Sequence, residues 1–311
     1  MNRRNVITRF APSPTGDLHL GGAMVALASW WLARRYGGRF LVRMEDIDTP
    51  RVVNGAAEKI LEDLSWLGLG WDGEVVVQSA RTEKYRAAIE RLRSRDLIYP
   101  CDCSRAELAR IASAPHANEE IVYPGICAEL SPTRAMKRTP ALRVRVPKGA
   151  ASIVSFDDEV QGNYTQNLAE KVGDFVIRRS DDVFAYQLAV TVDDTDQEVT
   201  HVVRGDDLLA STPRQIYLAR ELGKVPPAYL HLPLVVDANG ERIAKRTPMA
   251  HIRALRDAGI SSAEIMVELT RALGLPRDPL GVQPVAHANH VWPKRSWTPP
   301  ARWLTCIVAG P

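Results

Sequence analysis

At 311 residues, 45% hydrophobic and 25% charged, the chain is long enough for a large buried core and two or three structural units. No apolar run approaches the roughly 18 residues of a membrane span. MNRRNVITRF also lacks the apolar stretch and cleavage site of a secretory leader, so a cytoplasmic protein without a membrane segment is expected. The net charge of +3 is uneven: from Arg242 onward ten Lys and Arg face four Asp and Glu, leaving −3 on the rest.

VITRF (6–10) reads as a first strand, and Met24, Leu27, Trp31 and Leu32 share one face of a following helix stopped by Gly37-Gly38. RFLVRME (39–45) is a second strand, and a strand–helix–strand crossover favours a parallel sheet. Ala57, Ile60, Leu61 and Leu64 mark a second helix ending at Gly68; Tyr85, Ala88, Ile89 and Leu92 mark a third. From Tyr99 to 135 the chain is irregular, with cysteines and prolines, and strand-like runs follow at 141–146, 152–156, 174–178 and 183–190. THVVRGDDLL (200–209) returns to the strand-to-loop pattern, and Thr212-Pro213-Arg214-Gln215 has the form of a capping box. HLPLVVDANGERIAKRT (231–247) predicts a buried strand, an Asn-Gly turn and a basic loop. Thr247-Pro248 opens a helix, Ser261 with Glu264 caps another, and beyond Leu275 an extended tail is expected. That basic tail carries Trp292, Trp297 and Trp303, a mixture that suits either RNA stacking or ordinary packing.

The first turn of the sheet, RFAPSPTGDLHLGGA (9–23), puts a histidine and two glycines at the mouth of a helix. A helix N-terminus offers free N–H groups and partial positive charge to phosphate, and glycines let a ligand approach the backbone. RFAPSPTGDLHLGGA together with RMEDIDTPR (43–51) resembles the catalytic start of class I glutamyl- and glutaminyl-tRNA synthetases, with HLGG in the place of their HIGH signature. GERIAKR (240–246) resembles their KMSKS loop, with Lys245 in the final lysine position, Arg242 for the first lysine and Ala244 for the serine. The resemblance covers roughly residues 6–250. It implies a HIGH-type Rossmann-like α/β domain in two halves, 1–98 and 186–250. Between them it implies a β-rich, zinc-bearing, acceptor-like insertion over 99–185, and after them a short helical region with a Pro-rich tail over 251–311.

The implied reaction is in-line attack by a carboxylate on the α-phosphorus of ATP, accompanied by Mg²⁺. It requires positioning and charge neutralisation rather than an activated nucleophile. By resemblance His19 and Lys245 are catalytic, and Pro12, His19, Gly21, Gly22, Arg242 and Lys245 bind the nucleotide. Arg9, Tyr186 and Arg204 match residues around the side chain of bound glutamate, and Ser13 and Glu45 those near its α-amino group. Guanidinium groups suit a dicarboxylic amino acid, and Glu45 suits an ammonium. Without the resemblance, Glu45, Asp46 and Asp48 also read as a solvated turn or a metal site.

Cys101, Cys103 and Cys127 supply three soft ligands in the irregular segment, where zinc takes four. Chemistry alone favours His116 as the fourth, whereas the resemblance points to Tyr123 in YPGIC; Cys306 is distant and reads as a small apolar residue. The CDC…YPGIC pattern and the short stretch after Lys245, too short for a large helical anticodon-reading domain, resemble the glutamyl-queuosine tRNA(Asp) synthetase subfamily. That implies a monomer which activates L-glutamate without tRNA and transfers it to queuosine in tRNA(Asp). The rivals are a truncated glutamyl-tRNA synthetase charging the 3′ end, a noncatalytic RNA-binding paralogue suggested by Arg242 and Ala244, and another HIGH-type nucleotidyltransferase such as a pantoate-activating ligase.

Overall fold

β1 (Ile7–Phe10) and β2 (Arg39–Met44) pair in parallel with Ile7 opposite Arg39, and β1 is buried along its whole length. Burial on both faces selects their near-continuous apolar runs. The computed structural model describes residues 5–104, 106–108, 122–241, 243, 251–276, 280, 290–301 and 303. Helix α1 (Leu20–Arg35) crosses between the two strands and is buried on most sides, from Leu20 and Ala23 to Trp30 and Trp31. Gly38 is forced by packing, because a Cβ there would lie 1.8 Å from Val6 O.

The chain continues through α2 (Ala56–Trp66), β3 (Val76–Val77), α3 (Thr82–Arg93), β4 (Ile98–Cys101), β5 (Ala141–Val144), β6 (Ile153–Asp158) and β7 (Gly162–Asn167). The remaining elements are the single turn α4 (Leu168–Lys171), β8 (Phe175–Arg178), α5 (Tyr186–Asp196), β9 (His201–Gly205), α6 (Thr212–Glu221), β10 (Ala228–Leu232), α7 (Ile252–Asp257) and α8 (Ser262–Ala272). β3 lies parallel to β2, β9 and β6 flank β10 in parallel, and β7 closes a hairpin on β6. Thr200, just before β9, donates its N–H to Ile7 O, and its hydroxyl accepts from Ile7 N–H, each at 2.8 Å. The strands therefore run β3-β2-β1-β9-β10-β6-β7, and the chain reverses direction of travel between β1 and β9. In such sheets ligands settle at the carboxyl ends of the strands at that switch point. β4, β5 and β8 form a separate antiparallel sheet.

One core gathers Leu27, Trp31, Phe40, Leu64, Leu230 and Trp303; a second, under the small sheet, gathers Tyr85, Leu92, Val144, Ile177 and Leu188. Two expectations change. The run expected as a strand at 183–190 enters helix α5 at Tyr186, since so short a mostly apolar run has no period to separate strand from helix. Thr212 forms no capping box: its hydroxyl accepts from Arg204 Nη2 at 2.7 Å instead. The tail tryptophans are packed rather than presented for stacking, with Trp292 edge-on to Trp31 at 5.8 Å and Trp303 fully buried beside Trp297. The expected Ser261 cap forms, its hydroxyl accepting from Glu264 N–H at 3.2 Å. The helix start at Thr247-Pro248 lies outside the described residues, as does Cys306. Among the described residues, no helix is long and apolar enough to cross a membrane.

Candidate active site

A cavity of about 700 Å³ opens at the carboxyl ends of β1 and β9, where the sheet order reverses. One wall is the loop 10–18 and the start of α1. The loop is tied down through its prolines, with Glu45 N–H on Pro12 O and Val53 N–H on Pro14 O, both at 2.9 Å. His19 caps α1: its Nδ1 accepts from Gly22 N–H at 3.0 Å, which places the ring hydrogen of the neutral form on Nε2. The two glycines sit close against their neighbours. A Cβ on Gly21 would stand 3.2 Å from the His19 ring and one on Gly22 2.9 Å from Leu18. With no acidic residue in its first turn, α1 aims an uncompensated positive end at the cavity.

Pro12, Ser13, His19, Gly21, Gly22, Glu45, Tyr186 and Arg204 all line this cavity. Arg204 comes from β9 and Tyr186 from the first position of α5, with Nη1 donating to the Tyr186 hydroxyl at 3.4 Å. Arg9 is not on the wall but behind it. It is buried, donating from Nε to Asp194 Oδ1 at 3.0 Å and from Nη1 to Val203 O at 3.2 Å. Arg242 and Lys245 lie outside the described residues; Ile243 and His251, on either side of Lys245 in the sequence, both line the cavity.

Beneath the wall lies a charge network that sequence reasoning missed. Arg43, fully buried, donates from Nη2 to Asp194 Oδ1 (2.8 Å) and Glu45 Oε1 (3.2 Å) and from Nη1 to Gln197 (2.8 Å). Asp193 accepts from Gln78, Tyr85 and Arg81 at 2.6–2.8 Å. Burial opposes the charge on Asp194, but Arg9 and Arg43 outweigh it and hold the carboxyl below its usual range. Burial pushes Glu45 up, only partly offset by Arg43 and Arg9. A charged residue inside the apolar strand RFLVRM and the acidic run VDDTD were the available signals. Asp46 and Asp48 do not join Glu45 as a metal site: Asp46 accepts from Ser79 and Asp48 from Arg51.

The Sγ atoms of Cys101, Cys103 and Cys127 lie within 4.8 Å of one another. The Tyr123 hydroxyl is 3.4 Å from Cys101 Sγ and 3.9 Å from Cys103 Sγ, and accepts from Cys127 N–H at 2.9 Å. Tyr123 is seated by a close crossing in which a Cβ on Gly173 would fall 2.4 Å from Tyr123 O. Arg143 lies over the Tyr123 ring at 3.8 Å, and Arg134 donates to Cys127 Sγ at 3.4 Å. Burial and the neighbouring thiols push Cys103 up to about 12, whereas hydrogen bonding to Tyr123 and the Cys103 backbone, with Arg143, overcomes burial at Cys101 and lowers it. Three convergent thiols with a phenol suit a tetrahedral soft-metal site. His116 lies outside the described residues.

The sequence profile of the class I tRNA synthetase (E and Q) catalytic domain matches residues 5–279. The chain belongs to this family. Within it, the chain is 50% identical over 270 residues to the glutamyl-Q tRNA(Asp) synthetase of Geobacter sulfurreducens, covering 86% of this chain and 84% of that one. It is 54% identical over 246 residues to that of Burkholderia mallei, covering 78% and 81%. Among solved structures it is similar to a glutamate tRNA ligase from Elizabethkingia meningosepticum in complex with its amino acid (TM-score 0.66, 29% identity) and to the glutamate-tRNA synthetase of Elizabethkingia anophelis (0.67, 29%). Each match covers 78% of this chain, which spans about half the length of those two proteins. This class I synthetase is a ligase, and its parallel α/β sheet is the catalytic domain of the family.

Proposed function

We propose that this ligase activates L-glutamate with ATP and Mg²⁺, without tRNA, and transfers the glutamyl group to queuosine at the wobble position of tRNA(Asp). The observation that carries the reading is one cavity whose lining joins Arg204, Tyr186 and Glu45 to the α1 N-terminus and His19, groups that suit a dicarboxylic amino acid and a phosphate. Arg204, backed by Arg9, receives the side-chain carboxylate, and Glu45 and Ser13 face the ammonium. Gly21, Gly22, Pro12 and His19, with Arg242 and Lys245, receive the nucleotide. The amino acid's α-carboxylate attacks the α-phosphorus and displaces pyrophosphate to give glutamyl-adenylate, from which a queuosine hydroxyl then takes the glutamyl group as AMP leaves; His19 and Lys245 stabilise the charge that develops at the α-phosphorus. The relatives named glutamyl-Q tRNA(Asp) synthetase support the choice of acceptor.

Zinc fits the Cys101, Cys103, Cys127 and Tyr123 set as a structural ion, fixing the 99–185 insertion against the catalytic halves 1–98 and 186–250. In this reading the protein is a cytoplasmic monomer whose catalytic halves are followed by a short C-terminal region, 251–311.

The decisive measurement is ATP–pyrophosphate exchange without tRNA. Exchange dependent on glutamate, and weak with glutamine, is expected; no exchange would favour a noncatalytic RNA-binding role. Labelled glutamate should then enter queuosine-containing tRNA(Asp) and not queuosine-free tRNA. Equal labelling of both would overturn the acceptor and favour charging of the 3′ end.

A further inference from the structure

Arg204 is held from behind by a buried relay. Asp158, at the end of β6, and His231, in β10, have fully buried side chains, with Asp158 Oδ2 2.6 Å from His231 Nδ1. The other carboxylate oxygen, Oδ1, accepts three backbone N–H groups: Val160 at 3.0 Å, Gln161 at 2.8 Å and His231 at 3.2 Å. On the far side of the ring, Arg204 Nε donates to His231 Nε2 at 3.0 Å and Arg204 Nη2 to Thr212 Oγ1 at 2.7 Å.

The proton positions follow from this arrangement. A guanidinium Nε can only donate, so His231 Nε2 must present its lone pair. The one hydrogen of the neutral ring then sits on Nδ1 and is donated to Asp158. Burial and the charge of Arg204 also lower the His231 pKa, against the pull of Asp158, which keeps the ring neutral. The inner edge of the guanidinium, Nε and Nη2, is thus taken by His231 and Thr212. The outer edge, Nη1 and Nη2, keeps hydrogens for a carboxylate, with Tyr186 beside Nη1.

We propose that Asp158 and His231 are positioning residues: they fix one imidazole tautomer and so present the outer edge of Arg204 to the side-chain carboxylate of the amino acid. This rests on the reading of Arg204 as the carboxylate receptor. A pair that merely tied β6 to β10 would tolerate either tautomer.

Asp158→Asn separates the two roles. Three backbone N–H groups converge on the Oδ1 position, so the asparagine must keep its carbonyl oxygen there and place its NH₂ where Oδ2 was. Facing a donor, His231 Nδ1 must accept, and the ring hydrogen moves to Nε2, where it turns to Thr212 Oγ1, 3.1 Å away, and Arg204 Nε–H loses its acceptor. Replacing a buried carboxylate by its amide imposes the wrong tautomer in this way with little change of shape.

The test reads the tautomer and the kinetics together. Long-range ¹H–¹⁵N spectra of labelled protein at pH 7, with the His231 signals assigned by their loss in His231→Gln, should show Nδ1–H in the native chain and Nε2–H in Asp158→Asn. In pyrophosphate exchange, Asp158→Asn should raise KM for glutamate about tenfold or more while KM for ATP moves less than about twofold, because the lost alignment concerns one substrate only. An Nε2–H tautomer or an imidazolium in the native protein overturns the proposal, and needs no variant to fold. So does a flipped tautomer with unchanged KM for glutamate, or an equal rise for both substrates. Absence of exchange by the native chain sinks the functional reading instead, and the native tautomer, read without turnover, still decides the relay.

Discussion

Glu45 shows how a single residue acquires its properties from its neighbours. In RMEDIDTPR it was one of three carboxylates; in the structure it alone turns to the cavity, held by Arg43 and raised in pKa by burial. An ammonium arriving at Glu45 favours its charged form, so glutamate binding should release protons, and affinity should fall as pH drops and Glu45 protonates. Calorimetry in buffers of different ionisation enthalpy should detect that release and find it absent in Glu45→Gln. An unchanged proton count in the variant would remove Glu45 from the ammonium site.

Asp63 in α2 is a second case. It is fully buried, its two oxygens accept no hydrogen bond, and Arg253 Nε stands 3.4 Å away. Burial raises its pKa to about 6, outweighing Arg253. The folded state therefore holds this proton more tightly than the unfolded chain, and the contribution of Asp63 to stability declines as pH rises from about 4 through about 6. Asp63→Asn removes that dependence. Its stability relative to the native protein should rise by about 2 kcal/mol between pH 4.5 and 7.5, measured by denaturant unfolding. A pH-independent difference would count against it. The sequence made residues like His19 and Arg204 legible because they stand beside turns and glycines. It could not reveal Asp158 opposite His231, because nothing local links positions so far apart.

Among the elements, the strands and helices of the parallel sheet were readable because burial on both faces writes long apolar runs and glycine punctuates their ends. The stretch entering α5 was not: FAYQLAV has Gln187 as its one polar residue, too little to show a period, and the packing of its neighbours decides for helix. Thr212 failed as a cap for a related reason, its hydroxyl being claimed by Arg204 from another strand. Among its described residues the cysteine segment has, beyond β4 ending at Cys101 and Tyr123 pinned against Gly173, few other ties to the body. Its order should therefore depend on metal. Purified protein should carry about one zinc per chain, and chelation should speed hydrogen exchange in 98–103 and 122–144 while sparing β1 and β9. Retained protection after complete metal loss would refute a structural zinc.

At the scale of the molecule, the order β3-β2-β1-β9-β10 puts the strands of Arg9 and Arg204 side by side at the switch point, although the two residues are separated by most of the chain. Strand–helix–strand spacing anticipated the pairing of β1 with β2; the adjacency of β1 and β9 and the depth at which Arg9 lies left no local signal. The tail was harder to read, because basic residues among tryptophans describe an RNA surface and a packed edge equally well. Here the rings turn inward: Trp303 is fully buried, while Lys294 and Arg295 stay exposed. Trp303→Ala should therefore cost about 3–5 kcal/mol of stability, seen in thermal unfolding, with tRNA affinity altered no more than the loss of folded protein explains. A stable variant that binds tRNA weakly would reverse this assignment.

The same tail forms a short seam with the stretch that leads to the cavity rim. Trp297 O accepts from Val236 N–H at 2.9 Å, and its own N–H reaches Leu234 O at 3.4 Å. Leu234, Val235 and Ile243 all line the cavity, and Lys245 follows them in the sequence. The stretch around Trp297 thus acts as a splint behind that wall. Were the splint loosened at Trp297, the wall carrying Leu234 and Val235 would slacken while the Arg204 side kept its footing.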